Sequence, residues 1–205
     1  MRVTAEHISK KFNRRAVFKD ISFTVEPGEV FGITGRNGSG KSTLLRIAGG
    51  LLTPSGGGMR YALDGKEIAH ERLHRHIGYV APYLTLYEEF SAEENIALYA
   101  RIRGLRFARA DAQALLERVG LPLDRRDPIR AFSSGMKQRM RLVFAILHEP
   151  PLLLLDEPIS NLDAQGMAVV YELVQEFRAR GTVIIATNDA EDIAHCDRSI
   201  SVEAA

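Results

Sequence analysis

Near the amino terminus, apolar and polar residues alternate through "RVTAEHI" and again through "AVFKDISFTVEPG". Such alternation belongs to paired strands with one face in water. The next apolar run, "EVFGITG", keeps no polar face and predicts a buried strand entering a glycine-rich turn. Beyond that turn, "KSTLLRIAGG" takes helical spacing and closes on two glycines. "YALDGKEI" predicts a hairpin with Asp64-Gly65 at its turn, and "HIGYV" one more short strand.

The period then changes from strand to helix. "SAEENIALYARIRG" opens with Ser91 and Glu94 in capping-box spacing. "ARADAQALLERVG" predicts a second helix capped near Gly120, and "SSGMKQRMRLVFAILHEP" a third, stopped by Pro150 and Pro151. Strand character returns in "PLLLLDEP", and a helix follows through "AQGMAVVYELVQEFRARG". "TVIIATND" then predicts a strand buried on both faces that stops on Thr187, Asn188 and Asp189. The closing "DRSISVEAA" allows one short strand. The expected organisation is one domain over residues 1–205. Segments 1–87 and 149–205 supply a sheet core, and 88–148 a helical insertion. Buried strands joined by helices make this an α/β fold, in which ligands bind beyond the carboxyl ends of the strands.

Composition narrows the function without naming it. The 205 residues are 45% apolar and 26% charged, ordinary values for a soluble globular chain. A formal net charge of +1 gives no reason to expect nucleic acid. Cys196 is the only cysteine, which excludes an internal disulfide. No apolar run approaches the roughly 20 residues of a membrane span, and the opening "MRVTAEHISKKF" lacks a secretory segment. The expectation is a cytoplasmic protein. Work at a membrane would then place it peripherally on the inner face, held by another chain.

The strongest chemical signal is "GRNGSGKST", which fits G-x-x-x-x-G-K-[ST] between a predicted strand and a predicted helix. Gly35, Gly38 and Gly40 permit backbone geometry that turns N–H groups inward, so Arg36, Asn37 and Ser39 can offer main-chain donors to phosphate oxygens. The helix starting near Lys41 adds the positive end of its dipole. Lys41 can reach the outer phosphates, Ser42 can give a hydroxyl to Mg²⁺, and Thr43 lies beside it. The second signal is "LLLLDEP". A carboxylate at the end of so buried a strand favours a cation partner, which points Asp156 at the same Mg²⁺. Glu157 can accept a proton from an attacking water.

With "SSGMKQR" upstream of "LLLLDEP" and "SNLD" directly after it, the chain resembles an ATP-binding cassette (ABC) ATPase along essentially its whole length. The resemblance implies a P-loop NTPase with a RecA-like mixed sheet core, an antiparallel β subdomain and an inserted α-helical subdomain. It implies two cassettes meeting head to tail around two ATP molecules. Ser133, Ser134, Gly135 and Met136 would form the signature loop presented to the partner's ATP. Phe12 would stack on adenine, and Asp163 would line the junction between subunits. Ser134 and Met136 stand where the family commonly has glycine and glutamine.

Two further departures bear on chemistry. The family usually carries a glutamine after the strand "HIGYV", but no glutamine occurs from Ile77 to Asn95, and Pro82 occupies that place. In "ATND", Asn188 stands where a histidine normally contacts the γ-phosphate. Asparagine can donate a hydrogen bond but cannot carry a proton. Glu157 and Asn188 are therefore the expected catalytic pair, with slow turnover.

The resemblance implies the ATP-binding and ATP-hydrolysing subunit of a membrane transporter, with a second cassette, a homodimer by expectation, and integral membrane permease subunits as partners. "APYLTLYEEFSAEEN" would face the permease, with Tyr83 and Tyr87 as anchors. The compact length is similar to the ATPase of haem exporters in cytochrome c maturation. Alternatives are a non-transport cassette ATPase and a hydrolysis-impaired regulatory cassette. His70 and His74, four apart, could share a metal ion only on a helix. Lys10, Lys11, Arg14 and Arg15 read as a solvated face.

Overall fold

The computed structural model describes residues 1–122 and 127–203. Residues 123–126 of the expected helical insertion, and Ala204 and Ala205 of the expected last strand segment, lie outside them. β1 (Arg2–Phe12) and β2 (Arg15–Val25) pair antiparallel, with Phe12 opposite Arg15 across a tight turn. β3 (Val30–Thr34) leaves for a second sheet, and α1 (Lys41–Ala48) follows it. β4 (Gly56–Leu63) returns to the free edge of β1, and β5 (Lys66–Glu67) closes the sheet in the order β2-β1-β4-β5. Asp64 (φ 51°) and Gly65 (φ 76°) make the expected hairpin turn, both in the left-handed region that such two-residue turns require.

The second sheet adds β6 (Ile77–Val80), β7 (Leu152–Asp156), β8 (Thr182–Ala186) and β9 (Arg198–Ser201). Its order is β6-β7-β8-β3-β9, and every described pair in it is parallel. Antiparallel pairing is thus confined to the first sheet. β7 and β8 are buried at every position, as their unbroken apolar runs demand. Because side chains alternate across a strand, each of these strands feeds two cores. Leu153 and Leu155, with Val183 and Ile185, face the helices. Leu152 and Leu154, with Ile184 and Ala186, face α1 and the antiparallel sheet.

The helices are α2 (Ala92–Ile102), α3 (Arg109–Arg118), α4 (Ser134–Ile146), α5 (Ala164–Arg178) and the short α6 (Ala190–Ala194). Ser91 and Glu94 form the predicted capping box at α2, satisfying two otherwise orphaned N–H groups. Gly120, at φ 63°, follows α3 as expected. No helix among the described residues is long and apolar enough to cross a membrane.

The helical layer meets the sheet closely at β6. A Cβ on Gly78 would stand 2.2 Å from the Ala145 carbonyl oxygen of α4 and 2.9 Å from Pro150 Cγ. Backbone cannot yield there without moving the whole helix. His148, just beyond α4, adds a hydrogen bond from Nε2 to the Ile77 carbonyl at 3.0 Å. Gly78→Ala is therefore expected to destabilise the fold by about 1–3 kcal/mol, the usual range for overpacking. The measurement is a lower denaturant midpoint with an unchanged slope.

Candidate active site

Parallel order brings the turns after β3, β7 and β8 to one edge of the sheet. Main-chain hydrogen bonds pin them together: Glu157 N–H donates to the Ala186 carbonyl at 2.8 Å, and Thr187 N–H to the Ile33 carbonyl at 3.0 Å. Glu157 is held at φ 48°, a left-handed conformation uncommon for its residue type.

In the turn after β3, Gly35 (φ 139°), Gly38 (φ 80°) and Gly40 (φ 109°) adopt the positive φ values that only glycine accepts freely. Lys41, 5% exposed, begins α1 and folds back over its own loop. Its Nζ donates to the carbonyls of Gly35 at 3.0 Å and Arg36 at 3.4 Å, and lies 3.6 Å from Glu157 Oε1. Ser42 Oγ donates to Asp156 Oδ1 at 2.8 Å. Asp156 is 1% exposed. Burial pushes its carboxyl above the usual range, the Ser42 hydrogen bond opposes that, and the Glu157 charge adds to it. A desolvated carboxylate beside a hydroxyl is a pair of hard oxygen donors suited to a divalent cation such as Mg²⁺.

These groups border a cleft of about 680 Å³. Asn37, Gly38, Gly40, Lys41, Ser42 and Thr43 line one wall, with Glu157 beyond them. Phe12 and Arg15 line the cleft as well. The Phe12 ring is 50% exposed, and Lys10 Nζ sits 4.9 Å from its centroid. Gly35, Arg36 and Ser39 instead line a hollow on the far side of the loop.

The remaining sequence candidates lie outside the cleft. Ser133 caps α4 by accepting from Met136 N–H at 3.2 Å, and Ser134 beside it is exposed. Gly135 approaches the Asn161 carbonyl so closely that a Cβ would come within 3.2 Å of it. Asp163 caps α5 by accepting from Gly166 N–H at 2.8 Å. The "SSGM" and "SNLD" loops are thus neighbours. Asn188 is exposed at the end of β8, one residue past a buried Thr187 whose hydroxyl lies 3.4 Å from Glu157 Oε2.

Sequence reasoning missed several polar contacts. Where the family's glutamine is absent, Arg46 Nε donates to Tyr83 Oη at 2.8 Å, and the Tyr83 and Tyr79 hydroxyls meet at 2.5 Å. Gln138, 3% exposed in α4, donates to the Pro158 carbonyl at 3.2 Å, directly after Glu157. Arg15, which its charged neighbours mark as part of a solvated face, lines the cleft instead, and its place in the same hairpin as Phe12 is the available signal. His70 and His74 fall in a 3₁₀ turn, His70–Arg75, where residues four apart do not share a face.

The profile of the ABC transporter family matches residues 18–160, which include both the glycine loop and the Asp156-Glu157 turn. The chain belongs to the ABC transporter family. It is 36% identical over 200 residues to the linearmycin resistance ATP-binding protein LnrL of Bacillus subtilis (strain 168), covering 95% of this chain and 64% of that one. It is 35% identical over 202 residues to the Nod factor export ATP-binding protein I of Rhizobium leguminosarum bv. viciae, covering 96% and 65%. The chain thus spans less than two thirds of the length of these two relatives. Among solved structures, the dimeric, post-hydrolysis ATP-binding cassette MJ0796 bound to ADP and Pi superposes with a TM-score of 0.82. Its identity is 27%, covering 98% of this chain and 94% of that one.

The cassette's loop glycines are not equivalent. A Cβ on Gly35 would lie 2.5 Å from the Val202 carbonyl oxygen and 2.8 Å from Ser39 Oγ, whereas one on Gly38 would meet nothing within 4 Å. Gly38→Ala should therefore cost only the left-handed backbone term, about 1–2 kcal/mol. Gly35→Ala should cost more and also displace the loop. Thermal melts together with ATP-analogue titration check this: both variants melt earlier, and Gly35→Ala shows the larger loss of stability and of affinity.

Proposed function

We propose that this chain is the ATP-binding and ATP-hydrolysing subunit of an ABC transporter, working as a head-to-tail pair of cassettes. The observation that carries the reading is the convergence of Lys41, Ser42 and Glu157 on one cleft, with the buried Asp156 hydrogen-bonded to Ser42. In this reading residues 1–87 and 149–205 form the nucleotide-binding core with its antiparallel sheet. Residues 88–148 form the helical subdomain that carries the signature loop.

The glycine loop and the positive end of α1 would hold the triphosphate. Lys41 would leave its own carbonyls for the outer phosphates, which offer stronger, charged acceptors. Phe12 would stack on adenine. Ser42 and Asp156 would hold Mg²⁺, which when bound neutralises phosphate charge. Glu157 would take the proton of the attacking water. The second cassette would bring Ser133, Ser134, Gly135 and Met136 to the γ-phosphate, with Asp163 at the junction.

Asn188 can orient water or donate one hydrogen bond, without the charge a histidine can carry. A lost transition-state hydrogen bond typically costs about 2–4 kcal/mol, so turnover should be slow. Pro82 offers no side-chain contact, and the exposed Tyr83 and Tyr87 beside it, 50% and 53% exposed, suit a permease surface. The cassette would sit on the inner face of the membrane through that contact. The two relatives' names speak of resistance and export, which favours export here. Neither is named for haem, so the haem-exporter likeness rests on the sequence resemblance alone.

The test is Mg²⁺-dependent ATP hydrolysis by the purified chain across a range of protein concentrations. Activity is expected to rise more than linearly with protein, to fall at least about a hundredfold in Glu157→Gln, and to rise by about tenfold or more in Asn188→His. Equal inactivity of wild type and Glu157→Gln, with ATP still bound, would favour a regulatory cassette. Pull-down from solubilised membranes should recover integral membrane proteins; recovery of ribosomes or nucleic acid would instead indicate a non-transport ATPase.

A further inference from the structure

Beneath the turn that carries Asn188 lies a carboxylate with no part in the reading above. Asp192, on α6, is 0% exposed. Its Oδ2 accepts from Thr187 Oγ1 at 2.7 Å, and its Oδ1 from the Tyr171 hydroxyl at 3.2 Å. Thr187, also 0% exposed, is the only residue the structure places between this carboxylate and Glu157 by hydrogen bonding among the described residues. Its Oγ1 accepts from Asp189 N–H at 3.0 Å and stands 3.4 Å from Glu157 Oε2. A threonine hydroxyl has one hydrogen to give. Two carboxylates compete for it, and the shorter contact goes to Asp192.

We propose that Asp192 is a positioning residue for Glu157: by claiming the single hydrogen of Thr187, the buried carboxylate leaves Glu157 Oε2 free to engage the attacking water. The inference rests on Glu157 serving as the proton acceptor in ATP hydrolysis. When Asp192 is neutral the donation reverses. The protonated carboxyl donates a hydrogen bond from its O–H to Thr187 Oγ1, the threonine hydroxyl turns its hydrogen to Glu157 Oε2, and that oxygen is withdrawn from water. No covalent bond is made or broken in the exchange.

The groups facing Asp192 set where this reversal falls. Glu157 approaches through Thr187 from the turn after β7, Tyr171 from α5, and Asp189 from the turn before α6. Glu191 neighbours it in α6, His195 stacks on Tyr171 at 3.7 Å between ring centroids, and Cys196 Sγ donates to the Asp192 carbonyl at 3.3 Å. Among these described neighbours none is a Lys or Arg. Burial raises the Asp192 carboxyl to about 6, opposed by the Thr187 and Tyr171 hydrogen bonds and reinforced by Asp189 and Glu157. Glu157 is accordingly free above that pH and engaged below it.

The experiment pairs kinetics with a titration that needs no hydrolysis. Wild-type kcat should lose activity on an acid limb near pH 6, with KM for ATP nearly constant. Asp192→Asn holds a permanent donor toward Thr187, so kcat at pH 7.5 should fall about tenfold, KM should stay within twofold, and the limb should vanish. Thr187→Val breaks the link: added to Asp192→Asn it should restore most of the lost kcat, and alone it should also abolish the limb. Thr187→Ser keeps the hydroxyl and should match wild type. In nucleotide-free protein, the Asp192 carboxyl ¹³C signal should titrate near pH 6 and move upward in Thr187→Val, which removes a donor to the ionised form. Unchanged kcat and limb in both Asp192→Asn and Thr187→Val would overturn the proposal, as would an Asp192 titration indifferent to Thr187. Should Asp192→Asn fail to fold, Thr187→Val and the titration still decide. A wild type that binds ATP without hydrolysing it, yet shows the coupled titration, would count against the hydrolytic reading and not against the Asp192–Thr187 link.

Discussion

One desolvated carboxylate organises the nucleotide end of this molecule. Asp156 stands at the end of a strand buried throughout, and its one side-chain hydrogen bond among the described contacts comes from Ser42. Burying a carboxylate without full compensation is costly, and the Ser42 hydroxyl offsets only part of that cost. That 2.8 Å contact also joins the start of α1 to the end of β7. The geometry of the glycine loop, the direction of Lys41 and the placement of Glu157 follow from holding those two ends together.

The parallel sheet makes such a junction possible. With β7, β8 and β3 adjacent, three strands end at the same edge, and the turns beyond them share main-chain hydrogen bonds. Leucines of β7 and apolar residues of β8 fill cores on both faces. Polar groups at that edge are therefore carried on elements that have little freedom to shift. Preorganisation of this kind lets an exposed polar residue at the edge, such as Asn188, be exchanged without altering the fold.

Much of this was legible because it is written in local pattern. The capping box at Ser91, the Asp64-Gly65 turn, the buried strands and the glycine loop each depend on residues a few positions apart. What escaped was long-range polar pairing. Nothing local joins Arg46 to Tyr83, or Gln138 to the Pro158 carbonyl twenty positions on. Asp192 reads in sequence as one more acid in "DAEDIA", and only the tertiary fold shows it sealed under Thr187. Aromatics had a similar ambiguity: Tyr83 and Tyr87 carry the same residue type as buried Tyr61, and the difference is which side of the chain the core occupies.

The same long-range pairing ties the largely exposed 82–90 segment to α4, the helix that Ser133 caps. Arg141 Nε donates to the Leu84 carbonyl at 2.8 Å, Lys137 Nζ pairs with Glu88 at 2.6 Å, and both bases lie on α4. From that helix Gln138 reaches the turn that holds Glu157, and it also accepts from Arg141 Nη1 at 3.1 Å. Arg141 is partly buried, and burial lowers its pKa from the usual arginine value without removing its charge. A push on the 82–90 segment therefore cannot move it alone. It must either carry α4, with Ser133 at its tip, or break the part-buried Arg141 hydrogen bond to Leu84 and the exposed Lys137–Glu88 ion pair. The 82–90 segment and Ser133 are thus joined through α4 itself, with no side-chain contact needed from Pro82.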